Sequence, residues 1–189
     1  MKNKIALVTG ATSGIGWACA LTLAKMGYDL IATGRRSERL EELRLELPEG
    51  IRFLPLLFDV RDRAEVERLL TNLPSEWASI DVLINNAGFG INKAFTVSQL
   101  DAEQQLLDVL VGTPMRLMHV ALPLMKQRDS GVIINVSSVA SFIAGGTYSA
   151  SKSYLTVLSE SLHTELLGTG VKISALCPGF TRTEFHQRG

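Results

Sequence analysis

The stretch Ile5-Ala-Leu-Val-Thr9-Gly-Ala-Thr-Ser-Gly14-Ile-Gly16 decides the fold. Apolar residues run unbroken into a cluster of small residues and glycines, and helical spacing follows at once at Ile15, Cys19, Leu23 and Met26. A short apolar run ending in turn residues reads as a buried strand, and the spacing beyond it as a helix. Glycine permits the tight turn between them and lets backbone N–H groups approach an anion lying on the helix N-terminus. Gly10, Thr12, Ser13, Gly14, Ile15 and Gly16 are therefore candidates to hold a phosphate. The spacing is Gly-x3-Gly-x-Gly, not the commoner Gly-x-Gly-x-x-Gly, and a purely structural turn competes with the phosphate reading.

Further apolar runs at 30–33, 53–58, 82–85, 132–136 and 173–177 alternate with longer helical patterns. Val66, Leu69, Leu70 and Leu73 keep helical spacing, as do Leu106, Val109, Leu110, Leu117 and Leu124, and then Leu155, Leu158, Leu162 and Leu166. Strands alternating with helices predict an α/β fold: a doubly wound parallel sheet of six strands with helices on both faces. Ser37 ahead of Glu38 and Glu41 predicts a helix N-cap, and Asp101 with Gln104 predicts a capping box. Pro114 lies inside the 101–127 pattern, where an interior proline costs about 3 kcal/mol, which predicts a kink or a later helix start. With no repeat or linker, residues 1–189 read as one domain.

Composition narrows the partners. Lysine and arginine together number 19 and so do the acids, so no global field favours nucleic acid or an anionic membrane. The N-terminal apolar run is too short for a secretory signal, and no run reaches the roughly 18 apolar residues of a membrane span. A cytoplasmic location is the expectation. Cys19 and Cys177 sit in apolar surroundings without metal-ligand spacing and are expected to be buried, reduced thiols; no metal is expected.

Beyond the second run the chain reads Gly34-Arg35-Arg36. An NAD site would carry a carboxylate there to hold the ribose 2′-hydroxyl, whereas guanidinium groups suit a 2′-phosphate. Arg35 and Arg36 therefore favour NADP(H) over NAD(H), the alternative being surface charges paired with Glu38 or Glu41.

Near the other end, Ser137 and Ser138 close a strand, and Tyr148 and Lys152 stand four apart where a helix begins, on one helical face. A phenol beside an ammonium and a fixed hydroxyl suits proton transfer in carbonyl–alcohol chemistry. Either serine could instead simply end the strand by bonding backbone, and alternation lets only one of the two face the site.

Thr-Gly-Ala-Thr-Ser-Gly-Ile-Gly at 9–16, Asn-Asn-Ala-Gly at 85–88, the Ser138, Tyr148 and Lys152 set, and Pro-Gly-Phe-Thr-Arg-Thr at 178–183 together resemble the short-chain dehydrogenase/reductase family. The resemblance implies a Rossmann fold and hydride transfer between nicotinamide and a carbonyl or secondary alcohol. It implies Tyr148 as general acid or base, its pKa lowered by Lys152, and Ser138 as donor to the substrate oxygen. Lys152 would also hold the nicotinamide ribose. Asp59 and Val60 would contact the adenine side, Asn86, Ala87 and Gly88 would line the cofactor groove, and Pro178, Gly179, Thr181 and Thr183 would lie by the nicotinamide. A small-molecule substrate and a homo-oligomer paired through the helices near 101–127 and 148–168 are also implied.

Two departures qualify this. The family's active-site asparagine, which supports a helix distortion whose carbonyl holds a relay water, is read at Leu110, where no amide is available. The chain also stops before the expected substrate-covering helices and last edge strand. These leave an alternative, a catalytically weak or inactive dinucleotide-binding module that senses or scaffolds. Phe89, Phe95, Phe142 and Phe180 are candidates for an apolar substrate pocket.

Overall fold

A computed structural model describes residues 3–181 of the chain. Thr183 lies outside the described residues. Six strands, β1 (Ile5–Val8), β2 (Asp29–Gly34), β3 (Phe53–Leu57), β4 (Ile80–Asn85), β5 (Gly131–Val136) and β6 (Val171–Leu176), form one sheet in the order β3-β2-β1-β4-β5-β6. Every neighbouring pair is parallel. The helices are α1 (Gly14–Lys25), α2 (Ser37–Leu45), α3 (Arg63–Thr71), α4 (Leu100–Leu107), α5 (Thr113–Gln127) and α6 (Gly146–Glu165). This is the expected doubly wound sheet, and its strand order reverses between β1 and β4, where such sheets open a crevice beyond the strand ends.

Strand β1 explains the three layers. Its four residues are all buried, and successive side chains point to opposite faces. Ile5 and Leu7 enter a core with Val66 of α3, Leu117 and Met118 of α5 and Leu155 of α6. Ala6 and Val8 enter a second core with Ala20 and Ala24 of α1 and Leu40 and Leu43 of α2. Each buried leucine or isoleucine contributes about 1.5–3 kcal/mol, so a central strand clad on both faces anchors the fold. The alanines on the second face let α1 approach the sheet closely, which places its first turn above the end of β1.

The long helical pattern takes the first of the two forms expected at Pro114, a distortion rather than a later start. It runs from Leu100 to Gln127 without a later start, interrupted by one widened π turn over Asp108–Gly112. There the Thr113 N–H reaches back five residues to the Asp108 carbonyl, bypassing Val109. The next residue, Pro114, has no N–H to give the Leu110 carbonyl. Two adjacent carbonyls thus lose their α-helical donors. The Thr113 hydroxyl lies 2.7 Å from the Val60 carbonyl and 3.1 Å from that of Asp108, pinning the turn to the loop after β3. Proline beside a π turn is a recognised cause of such distortion.

By length and hydropathy this 28-residue run could cross a membrane. Half of its most apolar window is buried against the rest of the protein, and along the run Leu106, Val109, Leu110, Leu117, Met118 and Met125 are all buried. Packing therefore accounts for its hydropathy.

Local capping differs from the sequence reading. α2 starts at Ser37 with Arg36 as its cap residue, and α4 starts at Leu100 with Gln99 as its cap residue, so neither Ser37 nor Asp101 caps. Asp62 caps α3, accepting the Glu65 N–H at 3.0 Å. Cys19 and Cys177 are free as expected but only partly buried. Cys19 lies on the half-exposed flank of α1, and Cys177 follows the last residue of an edge strand.

Candidate active site

Gly10 and Gly14 adopt positive φ of 66° and 56°, which side-chain-bearing residues resist. A Cβ on Gly16 would stand 2.3 Å from both the Gly10 carbonyl and the Asn86 amide nitrogen. The loop is thus closed down onto the end of β4, with no room for side chains beneath it. The Trp17 N–H is bonded to the Ser13 carbonyl, while the first-turn N–H groups ahead of it have no earlier helical acceptor. The Ser13 side chain does not cap them. N–H groups without helical acceptors at a dipole's positive end, on a loop that lacks Cβ atoms at Gly10, Gly14 and Gly16, fit a pyrophosphate.

Three guanidinium groups gather beside this loop. Arg36 donates to the Thr12 carbonyl at 2.9 Å, and Arg39 donates to the same oxygen at 3.2 Å while lying 4.4 Å over the Trp17 ring. Arg35 pairs with Asp59 at 3.7 Å. Glu41 takes Arg44 instead, so the alternative of pairing with Glu38 or Glu41 is not the arrangement adopted. Burial would raise the Asp59 carboxyl, but hydrogen bonds from Arg61 and the charges of Arg61 and Arg35 carry it below the usual range. Val60 packs beside it on the π turn's cluster. Arg39 escaped sequence reading because it lies a helical turn beyond the strand end.

Asn86 and Ala87 are stitched to the glycine loop through Thr9, a residue to which the sequence alone gave no role. The Thr9 hydroxyl accepts the Asn86 and Ala87 N–H groups at 2.9 and 3.1 Å, and the Asn86 amide donates to the Thr9 and Gly10 carbonyls at 3.0 and 3.1 Å. Asn85, one residue earlier, donates to Asn135 at 2.8 Å, and Asn135 donates to Ser159 at 2.9 Å. This buried polar ladder links β4, β5 and α6.

At the far end of the crevice the end of β5 meets α6. The Ser138 hydroxyl lies toward the Tyr148 side chain and accepts the Ala140 N–H at 3.1 Å, whereas Ser137 turns the other way, its hydroxyl 3.0 Å from the Lys152 carbonyl and 2.7 Å from the Thr156 hydroxyl. Alternation along the strand thus gives Ser138 to the site. Lys152 is only 4% exposed. Its ammonium donates to the Val136 carbonyl at 2.6 Å and lies 5.7 Å over the Tyr148 ring. Burial depresses the Lys152 ammonium to about 8, with Cys177 opposing. Burial pushes the Tyr148 phenol up, and the Ser138 hydrogen bond only partly offsets it. The ammonium faces the ring and the strand, so within the protein alone desolvation prevails at the hydroxyl; the lowering expected from an oxidised nicotinamide beside it is a separate contribution.

Leu110 is buried and fills the space beside Gly88, where an added Cβ would lie 2.9 Å from its Cδ2. It clusters with Val109, Phe89, Ile91 and Tyr148. The backbone distortion expected of the family is present without an amide side chain. The loop after β6 joins the site through the Pro178 carbonyl, which accepts the Val139 N–H at 3.1 Å. Gly179 is unobstructed among the described residues, and the Thr181 hydroxyl donates to its carbonyl at 3.2 Å. Phe89 packs by the site, but Phe95, Phe142 and Phe180 are exposed, Phe180 at 98%. An open groove of about 570 Å³ runs between α6 and β6, lined by Phe142, Thr156, His163 and Cys177 among others. It contains none of Ser138, Tyr148 or Lys152 and belongs to the uncovered flank of β6. Among the described residues no histidine, cysteine and carboxylate cluster could hold a metal.

Comparison with known proteins gives a consistent result. Residues 4–188 match the family model for short chain dehydrogenases. The chain is 40% identical to the NADP-dependent 3-hydroxy acid dehydrogenase YdfG of Escherichia coli K12, over 96% of this chain and 74% of that protein. It is 37% identical to a probable NADP-dependent dehydrogenase of Haemophilus influenzae, over 98% and 77%. Among solved structures, the closed form of serine dehydrogenase complexed with NADP+ superposes with a TM-score of 0.86 at 38% identity, over 97% of this chain and 75% of that one. The chain belongs to the short-chain dehydrogenase family, oxidoreductases acting on CH–OH groups.

Proposed function

We propose that this protein is an NADP(H)-dependent oxidoreductase that interconverts a carbonyl and an alcohol, with Tyr148 transferring the proton. The observation that carries this reading is the convergence of Ser138, Tyr148 and Lys152 at one end of the crevice whose other end holds the glycine loop and arginines. When bound, the nicotinamide supplies or accepts the hydride and, oxidised, adds positive charge beside the phenol.

In the reductive direction Ser138 donates a hydrogen bond to the substrate oxygen and stabilises its growing negative charge. Tyr148, whose phenol is held protonated by burial, gives that oxygen its proton and becomes a phenolate. Lys152, largely charged at neutral pH, favours the phenolate through space. The carbonyls freed at Val109 and Leu110 are positioned to hold a water that returns a proton through Lys152. Arg35, Arg36 and Arg39 bind the 2′-phosphate that distinguishes NADP from NAD. Asp59, Val60, Asn86, Ala87, Gly88, Pro178, Gly179 and Thr181 line the cofactor between these ends.

The relatives suggest the substrate class. Serine is itself a 3-hydroxy acid, so the two named activities share an alcohol on the carbon beyond the one next to the carboxylate. We assign small 3-hydroxy acids to this site. The test is NADPH formation from NADP+ with L-serine and 3-hydroxypropanoate, alongside direct NADPH binding. Turnover of either acid supports the assignment. Tight NADPH binding with no turnover on these or on a panel of simple alcohols, and no change in Tyr148→Phe, would favour the sensing or scaffolding alternative.

A further inference from the structure

Ser137, Thr156 and the backbone of Lys152 form a hydroxyl cluster that the proton-transfer scheme does not use. Ser137 is 3% exposed and Thr156 6%, so both hydroxyls rely chiefly on protein partners, Thr156 also bordering the groove between α6 and β6. One proton order satisfies the whole group. Ser137 donates to the Lys152 carbonyl at 3.0 Å, Thr156 donates to the Ser137 oxygen at 2.7 Å, and Cys177, 3.9 Å from the Thr156 oxygen, stands at its tail. The preceding residue, Val136, accepts the Lys152 ammonium at 2.6 Å. Two consecutive residues of the strand end therefore grip the same lysine, one by its backbone and one by its side-chain tip. A lysine has four rotatable side-chain bonds, and gripping both ends removes most of the positions its nitrogen would otherwise sample.

We propose that the Ser137–Thr156 hydroxyl pair is a positioning device for the catalytic lysine, locking the register of α6 on β5 so that the Lys152 ammonium stays buried beside Tyr148. This rests on the oxidoreductase reading for its kinetic consequence but has its own structural readout. The titratable groups facing Lys152 among the described residues are Tyr148, on the same helix, and Cys177, after β6. Neither is altered by the substitutions that test the pair.

The experiment compares Ser137→Ala, Thr156→Val, their double variant and Thr156→Ser, each normalised to its folded fraction. Thr156→Val removes the hydroxyl at nearly constant shape, and Thr156→Ser retains it. With NADP+ and L-serine or 3-hydroxypropanoate, kcat is expected to fall about tenfold in each hydroxyl-deleting variant, with substrate KM within about twofold, because misplacement rather than binding is what changes. Thr156→Ser should retain at least about half of the rate, and the double variant should be no worse than about the poorer single one, since coupled groups act as a unit. The second readout needs no substrate. The Lys152 side-chain resonance, followed by carbon NMR in isotopically labelled protein, should titrate near the value of about 8 in the parent and higher in the two deleting variants, as water reaches the nitrogen. An unchanged titration midpoint in both overturns the proposal even if no substrate is turned over. Equal and multiplying rate losses with Thr156→Ser as damaging as Thr156→Val overturn it too.

Discussion

The two ends of the crevice are built from different materials. At the phosphate end the working surface is backbone: Gly10, Gly14 and Gly16 contribute by what they lack, and Thr9 and Asn86 hold main-chain groups in place. At the chemical end the working surface is side chain, with Ser138, Tyr148 and Lys152 presented by one strand end and one helical turn. A backbone cradle for an anion tolerates no added atom, because its function is close approach. On the proposed function, a side-chain cluster tolerates no removed atom, because proton position is its task. The same class of substitution should therefore act oppositely at the two ends.

The largest effect tests the chemical end. Tyr148→Phe deletes one oxygen and should lower kcat by about 10³-fold, within the range for loss of a general acid, while NADPH affinity stays within a few-fold. Steady-state kinetics beside equilibrium binding checks this, and equal loss of both would erase the distinction. Gly16→Ala adds one carbon at the other end. Because the new atom meets a backbone carbonyl at 2.3 Å, and not only the Asn86 amide at the same distance, we expect about 2–4 kcal/mol of lost stability and no measurable NADPH binding. Chemical denaturation checks the first and fluorescence titration the second.

The third prediction concerns the cost of burying the lysine. The folded-state Lys152 value lies below the unfolded one, so the unfolded chain binds the extra proton between about pH 8 and 10.5 and stability rises with pH across that window. Lys152→Met should abolish turnover yet stabilise the fold at pH 7 by about 1–3 kcal/mol, the gain shrinking as pH passes through 8 towards 10.5. Denaturation midpoints measured at pH 7 and pH 10 decide it; a pH-independent difference would mean the lysine is not buried as charge. Least in magnitude, Arg36→Ala should lower the preference for NADPH over NADH by about 10–50-fold, the worth of one charge-assisted contact. Undiminished preference would transfer the 2′-phosphate to Arg35 and Arg39.

How much of this was legible follows the range of each signal. The sheet and its helices were, because alternating apolar runs and glycine punctuation are local, and all six strands appear within two residues of their expected ends. Tyr148 and Lys152 were legible as a pair on one helical face, yet only the family resemblance gave them a role. Strand period told that one of Ser137 and Ser138 faces the site but not which, since that phase is set by neighbours distant in sequence. Thr9, Arg39 and Asn135 act through contacts 24 to 78 residues away, which no local pattern encodes. The caps were misplaced because Ser37 and Asp101 sit one or two residues inside helices whose starts tertiary packing fixes. At Leu110 the amide is missing, yet the distortion that Pro114 predicted is present, supplied through the backbone by Pro114 and Thr113.

Val136, Ser137 and Ser138 each serve a separate partner, in the order ammonium, helix backbone and phenol. Strand side chains alternate with a period of two, so slipping β5 by one residue would hand every one of these groups to the wrong face at once. The site is accordingly far more vulnerable to a one-residue insertion or deletion in 131–138 than to most single replacements there. Variation in β5 among descendants of this chain should therefore be confined to exchanges of residue at fixed length.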